Sequence, residues 1–115
     1  MAGVNKAIII GNLGKDPELR KLESGAVTVS FPIATTEHFK DKSGEKKENT
    51  EWHNIVAWGT IADNMNNMLK KGSCVYIEGK IRTRSWEKDN VKRYSTEIVV
   101  DSFQLLKGGK EREHE

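Results

Sequence analysis

The segment VYIEGKIRTRSW, residues 75–86, carries the side chains best suited to holding a ligand. Val75, Ile77 and Ile81 alternate with Tyr76, Glu78, Lys80, Arg82, Arg84 and Trp86. Successive strand residues point to opposite faces, so one face is apolar and the other sets two aromatic rings among three cations. Rings beside guanidinium groups suit a ligand that is anionic along its backbone and aromatic along its bases, which describes single-stranded nucleic acid. A half-buried strand with a solvated basic face and Trp86 packed on a neighbour gives the same pattern, and this segment alone does not separate the two. In TEWHNIVAWG, residues 50–59, Trp52 and Trp58 are six residues apart and share a strand face with Asn54 and Val56. Strand rise spaces them roughly 20 Å apart, about the span of several unstacked nucleotides. One or two of the indoles could fill a small core. That all three tryptophans sit on strand-like segments beside polar residues favours an exposed set.

The net charge of +2 is no polyanion signal, but its distribution is informative. From Lys80 to Arg93 the cations Lys80, Arg82, Arg84, Lys88, Lys92 and Arg93 face only Glu87 and Asp89. Positive charge concentrated in one hairpin fits a surface that tracks phosphates, although hairpin tips also collect charge for solubility. Catalytic chemistry finds little to use. His38, His53 and His114 lack metal-ligand spacing, GNLGK (11–15) lacks the spacing and the Ser/Thr of a phosphate loop, and no nucleophile sits beside a base. The one cysteine, Cys74, excludes an internal disulfide and reads as a small buried thiol. No enzyme and no cofactor is expected.

A length of 115 residues implies one domain able to bury a modest core, which pairing with other copies would reinforce. No apolar run approaches the ~20 residues that cross a bilayer, and the start of the chain carries no secretory signal, so the cytoplasm is the expected location. Val4–Leu13 reads as a first strand ending in Gly-rich turn sequence, and Glu18–Leu22 as extended or irregular. Val27–Ala34 alternates cleanly and is the second strand, with Pro32 facing away from a partner or marking a bulge. The polar stretch His38–Glu51 reads as a long hairpin loop with Phe39 at its base, and Trp52–Trp58 as the third strand. Ile61, Met65, Met68 and Leu69 form one stripe of a helix over Thr60–Lys71, with Thr60 as cap, Asp63 in the first turn and Gly72 as stop. Both stripe methionines are expected in the core. Cys74–Trp86 is the fourth strand, 87–93 a loop, and Tyr94–Leu106 the fifth strand. Five strands with one helix between the third and fourth is the element order of an all-β OB-fold, a small Greek-key barrel. Another small barrel or an open α+β sheet is the alternative.

These residues resemble the bacterial single-stranded DNA-binding proteins. The matching text is VNKAIIIGNLGKDPELR (4–20), FPIAT (31–35), TEWHNIVAWG (50–59), LKKGSCVYIEGKIRTRSW (69–86) and RYSTEIVV (93–100), covering residues 1–106 without a large gap. The resemblance implies an OB-fold domain over 1–106, followed by a short flexible polar tail at 107–115. It implies a homotetramer that wraps single-stranded DNA with little sequence preference, protecting and straightening it during replication, recombination and repair, close to the nucleoid. The family's stacking positions fall on Phe39, Trp52, Trp58 and Trp86, and its basic contacts on Lys6, Lys71, Arg82, Arg84 and Arg93. Asn54, Thr60 and Ser85 stand where relatives often carry a cation, which makes the groove less positive. His53 falls near a subunit contact in the family. Tyr76 is read as packing or hydrogen-bonding at such an interface, or as lining the groove. The family's acidic, apolar-ended tip, which recruits replication and repair proteins, has no counterpart in KGGKEREHE (107–115). An OB-fold assembly factor that binds protein partners, and DNA only weakly, is the competing reading.

Overall fold

In the computed structural model, which describes residues 2–109, the chain forms six strands and one helix. They are β1 (Ala7–Leu13), β2 (Glu18–Lys21), β3 (Val27–Lys40), β4 (Lys46–Trp58), α1 (Gly59–Met68), β5 (Cys74–Lys88) and β6 (Val91–Lys107). Antiparallel ladders join β3 to β4, β5 to β6 and β1 to β5. A short parallel ladder, Asn54–Val56 against Glu97–Val99, joins β4 to β6. The pairs Asn12↔Ala34 and Leu13↔Ile33 then join β1 to β3 and close a five-stranded barrel. β2 lies outside this ring, paired only with β3. The helix falls between the third and fourth barrel strands, as the sequence predicts.

Alternation dictates the interior. Val29, Phe31 and Ile33 from β3, Ile55 and Ala57 from β4, and Val75 and Ile77 from β5 are all buried at odd positions. On β6 the buried apolar residues Ile98 and Val100 are even, whereas the half-buried Phe103 and Leu105 that pack on the core are odd. The change of phase comes from a bulge. Glu78 pairs with Ser102 and Gly79 with Val100, so Asp101 has no partner on β5 and β6 gains one residue at that point. Gly79 lies where β6 presses closest, and a Cβ there would collide with the Val99 carbonyl. Ala62, Met65 and Leu69 close the barrel from the helix side.

Several local expectations are corrected. Pairing of β3 with β4 continues through the polar residues to Lys40↔Lys46, leaving a five-residue tip in place of a loop over His38–Glu51. At that tip the Ser43 hydroxyl and the Ser43 and Glu45 amides donate to Asp41, holding its carboxyl below the usual range. The β5–β6 loop contracts to Asp89 and Asn90, both left-handed (φ 54° and 65°), which is the two-residue turn that matches strand twist. The helix begins at Gly59 with Trp58 in the cap position and no capping side chain, so Thr60 caps nothing and Asp63 lies beyond the first turn. It ends at Met68, with Leu69 extended in the cap position; beyond it the Lys70 amide donates to Ser73 Oγ within the turn and the Gly72 amide to the Leu13 carbonyl of β1. Met68 is exposed, leaving Met65 as the buried stripe methionine, and Cys74 is half-buried. β6 extends through Lys107, and Gly109 packs close to the Lys71 carbonyl; the rest of the expected tail lies outside the described residues.

Candidate nucleic-acid interface

The outer face of β4 presents Trp52, Asn54, Val56 and Trp58 in succession. Trp52 is 59% exposed and Trp58 41% exposed, so neither fills the core. Beside them β3 contributes Ser30 and Pro32, where β3 passes from its β2 partner to its β1 partner. The Trp52 ring leans on the turn after β1. A Cβ on Gly14 would come within 2.5 Å of its Cζ3, so only glycine at 14 lets the indole lie there. Across the parallel seam Asn54 pairs with Glu97. Asn54, Val56, Ser30, Pro32, Arg84 and Glu97 help line an open cleft of about 400 Å³, which the turn after β1 borders with Lys15 and Asp16.

Glu97 organises the basic side of this surface. Its side chain is only 7% exposed. Arg82 donates from Nη2 to Oε1 at 3.0 Å, and Arg84 donates from Nε to Oε2 at 2.9 Å. Burial pushes the carboxyl up, but the two hydrogen bonds and the two positive charges more than offset this and hold it below the usual carboxylate range. The Arg84 guanidinium also lies over the Trp86 ring, 4.8 Å from its centroid, a cation–π contact that covers one face of that indole. Arg93 pairs across the strands with Trp86 and has no carboxylate partner among the described residues.

Because the carboxyl is depressed in the fold, its pairing contributes stability that is complete above roughly pH 4.5 and is lost as pH falls below that. Glu97→Gln is expected to cost about 1–2 kcal/mol at neutral pH, since both arginines are half exposed and can rehydrate. Thermal melts at about pH 7 and about pH 3.5 should show the penalty shrinking in acid. A constant penalty would remove Glu97 from the acid-sensitive pairs.

The sequence-predicted residues do not all meet. Trp52, Trp58, Trp86, Arg82, Arg84 and Arg93 lie on outward-facing positions around the seam and the β5–β6 ribbon. Phe39 does not join them. It pairs with Lys47 while Ala34 pairs with Trp52, so alternation puts Phe39 and Trp52 on opposite faces of their hairpin. Phe39 is 49% exposed there, in a shallow hollow with His38, Lys40, Lys46 and Lys47. Lys6 lies elsewhere, 3.5 Å from Glu78. Lys71 sits on the helix-to-β5 turn, where its amide donates to Asp16 Oδ1.

His53 and Tyr76 occupy different faces. His53 Nε2 bonds Thr35 Oγ1 at 2.9 Å on the inward phase of β4. Tyr76 points outward on β5 and donates to Glu78, a bond that raises the phenol and, with Lys6, lowers the carboxyl. Next to Tyr76 the outward residues of β1, Ile8 and Ile10, are 59% and 55% exposed, and Leu106 is 50% exposed. Glu97 was not legible as a site residue. In an alternating strand it reads as one more solvent-facing carboxylate, and only the register shows two arginines converging on it. Gly14 was equally silent.

A closed five-stranded barrel with a helix after its third strand, bearing exposed rings and arginines on its outer surface, defines an OB-fold. The profile described as the Single-strand binding protein family matches residues 4–106, and the chain belongs to that family. It is 54% identical over 106 residues to Single-stranded DNA-binding protein 1 of Chlorobaculum tepidum, covering 90% of this chain and 65% of that protein. It is 47% identical over 108 residues to Single-stranded DNA-binding protein 1 of Xylella fastidiosa, covering 92% and 79%. Among solved structures, that of Plasmodium falciparum SSB in complex with ssDNA superposes with a TM-score of 0.84 at 32% identity, covering 92% of this chain and 97% of that one. A deletion mutant of the Thermus aquaticus single-stranded DNA binding protein gives 0.79 at 28% identity, covering 91% and 51%.

Proposed function

We propose that this chain is a non-catalytic coat for single-stranded DNA, binding it with little sequence preference. The observation that carries this reading is the set of exposed indoles on β4 and β5, with Arg84 reaching both the Trp86 ring and the cleft beside β4, on a chain of this family. Bases stack on Trp52, Trp58 and Trp86, with Phe39 reached by a strand that passes round the β3–β4 hairpin. Arg82, Arg84, Arg93, Lys6 and Lys71 neutralise phosphates. Stacking accepts any base because every base has a π face, and phosphate neutralisation carries no sequence information. Several copies, four by the family's habit, associate and pass the strand from one to the next. The outward isoleucines of β1, with Tyr76, support such an association, as does the Ala7–Ile10 edge, which pairs with nothing on the side away from β5 among the described residues. His53 is kept as a second candidate for the subunit boundary. Exposed strands in the cytoplasm are thereby shielded from nucleases and kept free of hairpins during replication, recombination and repair.

Titration with oligo-dT tests the reading. Intrinsic tryptophan fluorescence should quench strongly and stoichiometrically, at tens of nucleotides per assembly, with affinity falling steeply as salt rises. Arg82→Ala combined with Arg84→Ala should flatten that salt dependence by about 0.7 in log–log slope for each phosphate that is no longer neutralised. Weak quenching over a short site would instead favour an assembly factor that binds protein partners, and an unchanged slope would show that neither arginine meets a phosphate.

A further inference from the structure

Arg82 and Arg84 are long side chains on an open ribbon, and left alone they would sample many rotamers and repel each other. The structure shows them tied together. Each occupies a different oxygen of one carboxylate that is itself 7% exposed, and Arg84 is further pinned against Trp86. The hydrogen bonds use one donor group per arginine, Nη2 of Arg82 and Nε of Arg84. A guanidinium has five N–H donors, so most remain available on each side chain for a second acceptor. Glu97 is nearly covered while Arg82 and Arg84 are 45% and 53% exposed, so an incoming anion meets the arginines and not the carboxylate.

We propose that Glu97 is the positioning residue of a two-arginine phosphate clamp, which holds Arg82 and Arg84 as a preformed fork for a phosphodiester next to the base stacked on Trp86. The inference rests on the single-strand reading of this surface and deepens it. Glu97 touches no DNA. It removes the rotamer entropy that binding would otherwise have to remove, and this raises affinity although it adds a negative charge to the groove.

The two consequences of that carboxylate have opposite signs, which makes the proposal testable. If only charge mattered, Glu97→Gln would bind oligo-dT more tightly and with a steeper salt dependence. Positioning predicts that Glu97→Gln binds roughly 3- to 10-fold more weakly at about 0.15 M salt, with a salt slope no shallower than wild type. A variant that neutralised fewer phosphates would have a flatter slope, so lower affinity with an undiminished slope identifies disturbed orientation. Arg84→Lys keeps the charge but not the fork, and should weaken binding by a similar factor. The double variant should be little weaker than either single one, because the two changes break the same unit. Tighter or wild-type binding by folded Glu97→Gln overturns the proposal. Should that variant not fold, wild-type affinity in Arg84→Lys overturns it equally. Failure of the wild type itself to bind oligo-dT would sink the single-strand reading, a result distinct from either.

Discussion

Trp52→Ala and Trp86→Ala each weaken oligo-dT binding by roughly 5- to 150-fold, the range that corresponds to 1–3 kcal/mol of stacking per base. The barrel should remain folded, because both rings lie outside the core and alanine leaves the packing of its interior unchanged. The two positions should nevertheless differ in kind. Trp52 rests on the Gly14 turn and offers its exposed surface directly. Trp86 has one face occupied by Arg84, so it offers a single face, and its removal also frees that guanidinium. Phe39→Ala provides the internal comparison. From the opposite face of the hairpin it contributes only when a strand is long enough to pass round the tip, so its effect should grow with oligonucleotide length. Fluorescence or anisotropy titration with short and long oligo-dT measures all three. Wild-type affinity in both tryptophan variants would refute the groove assignment.

Ile8→Glu combined with Ile10→Glu is expected to leave a folded monomer. Both side chains point away from the barrel interior, at positions more than half exposed, so circular dichroism should be unchanged. Covering each isoleucine is worth about 1.5–3 kcal/mol, and an interface between copies would count each residue on both partners. Carboxylates there forfeit that gain and add to the charge of Glu78, which lies directly across from Ile8. Sedimentation velocity should show the mass of one chain, and oligo-dT should bind with a smaller site size. An unchanged sedimentation coefficient would place the assembly interface on another surface.

The parts of the fold that follow a hydrophobic rhythm were legible in the sequence. Val29, Phe31, Ile33, Ile55, Val75 and Ile77 keep period two and are buried as expected, and the face shared by Trp52 and Trp58 follows from the same count. What escaped is structure held by the backbone alone. β2 is exposed along its whole length, and the outer halves of β3 and β4 are polar, so nothing in their side chains announces a ladder. The two-residue turn at Asp89 and Asn90 was hidden in a run of charge that reads as loop. Phe39 shows what a residue-by-residue resemblance leaves out: the ring is present, but only the register shows that it lies on the opposite face of the hairpin from Trp52. Glu97 shows the limit of reading one strand at a time, since its meaning depends on a neighbour strand that turns back over it.

Beyond the barrel, β5 from Lys80 onward and β6 as far as Tyr94 are exposed on both sides, a ribbon of two strands without a core. Such a ribbon is kept together by its ladder and a few cross-strand pairs, so it can fray while the barrel beneath stays shut. Amide protons there should exchange with deuterium well ahead of those of Ile55 and Ile77, which wait for global opening. Pliancy of this kind lets one grip adapt to many backbone paths, which suits a protein whose cargo has no fixed shape.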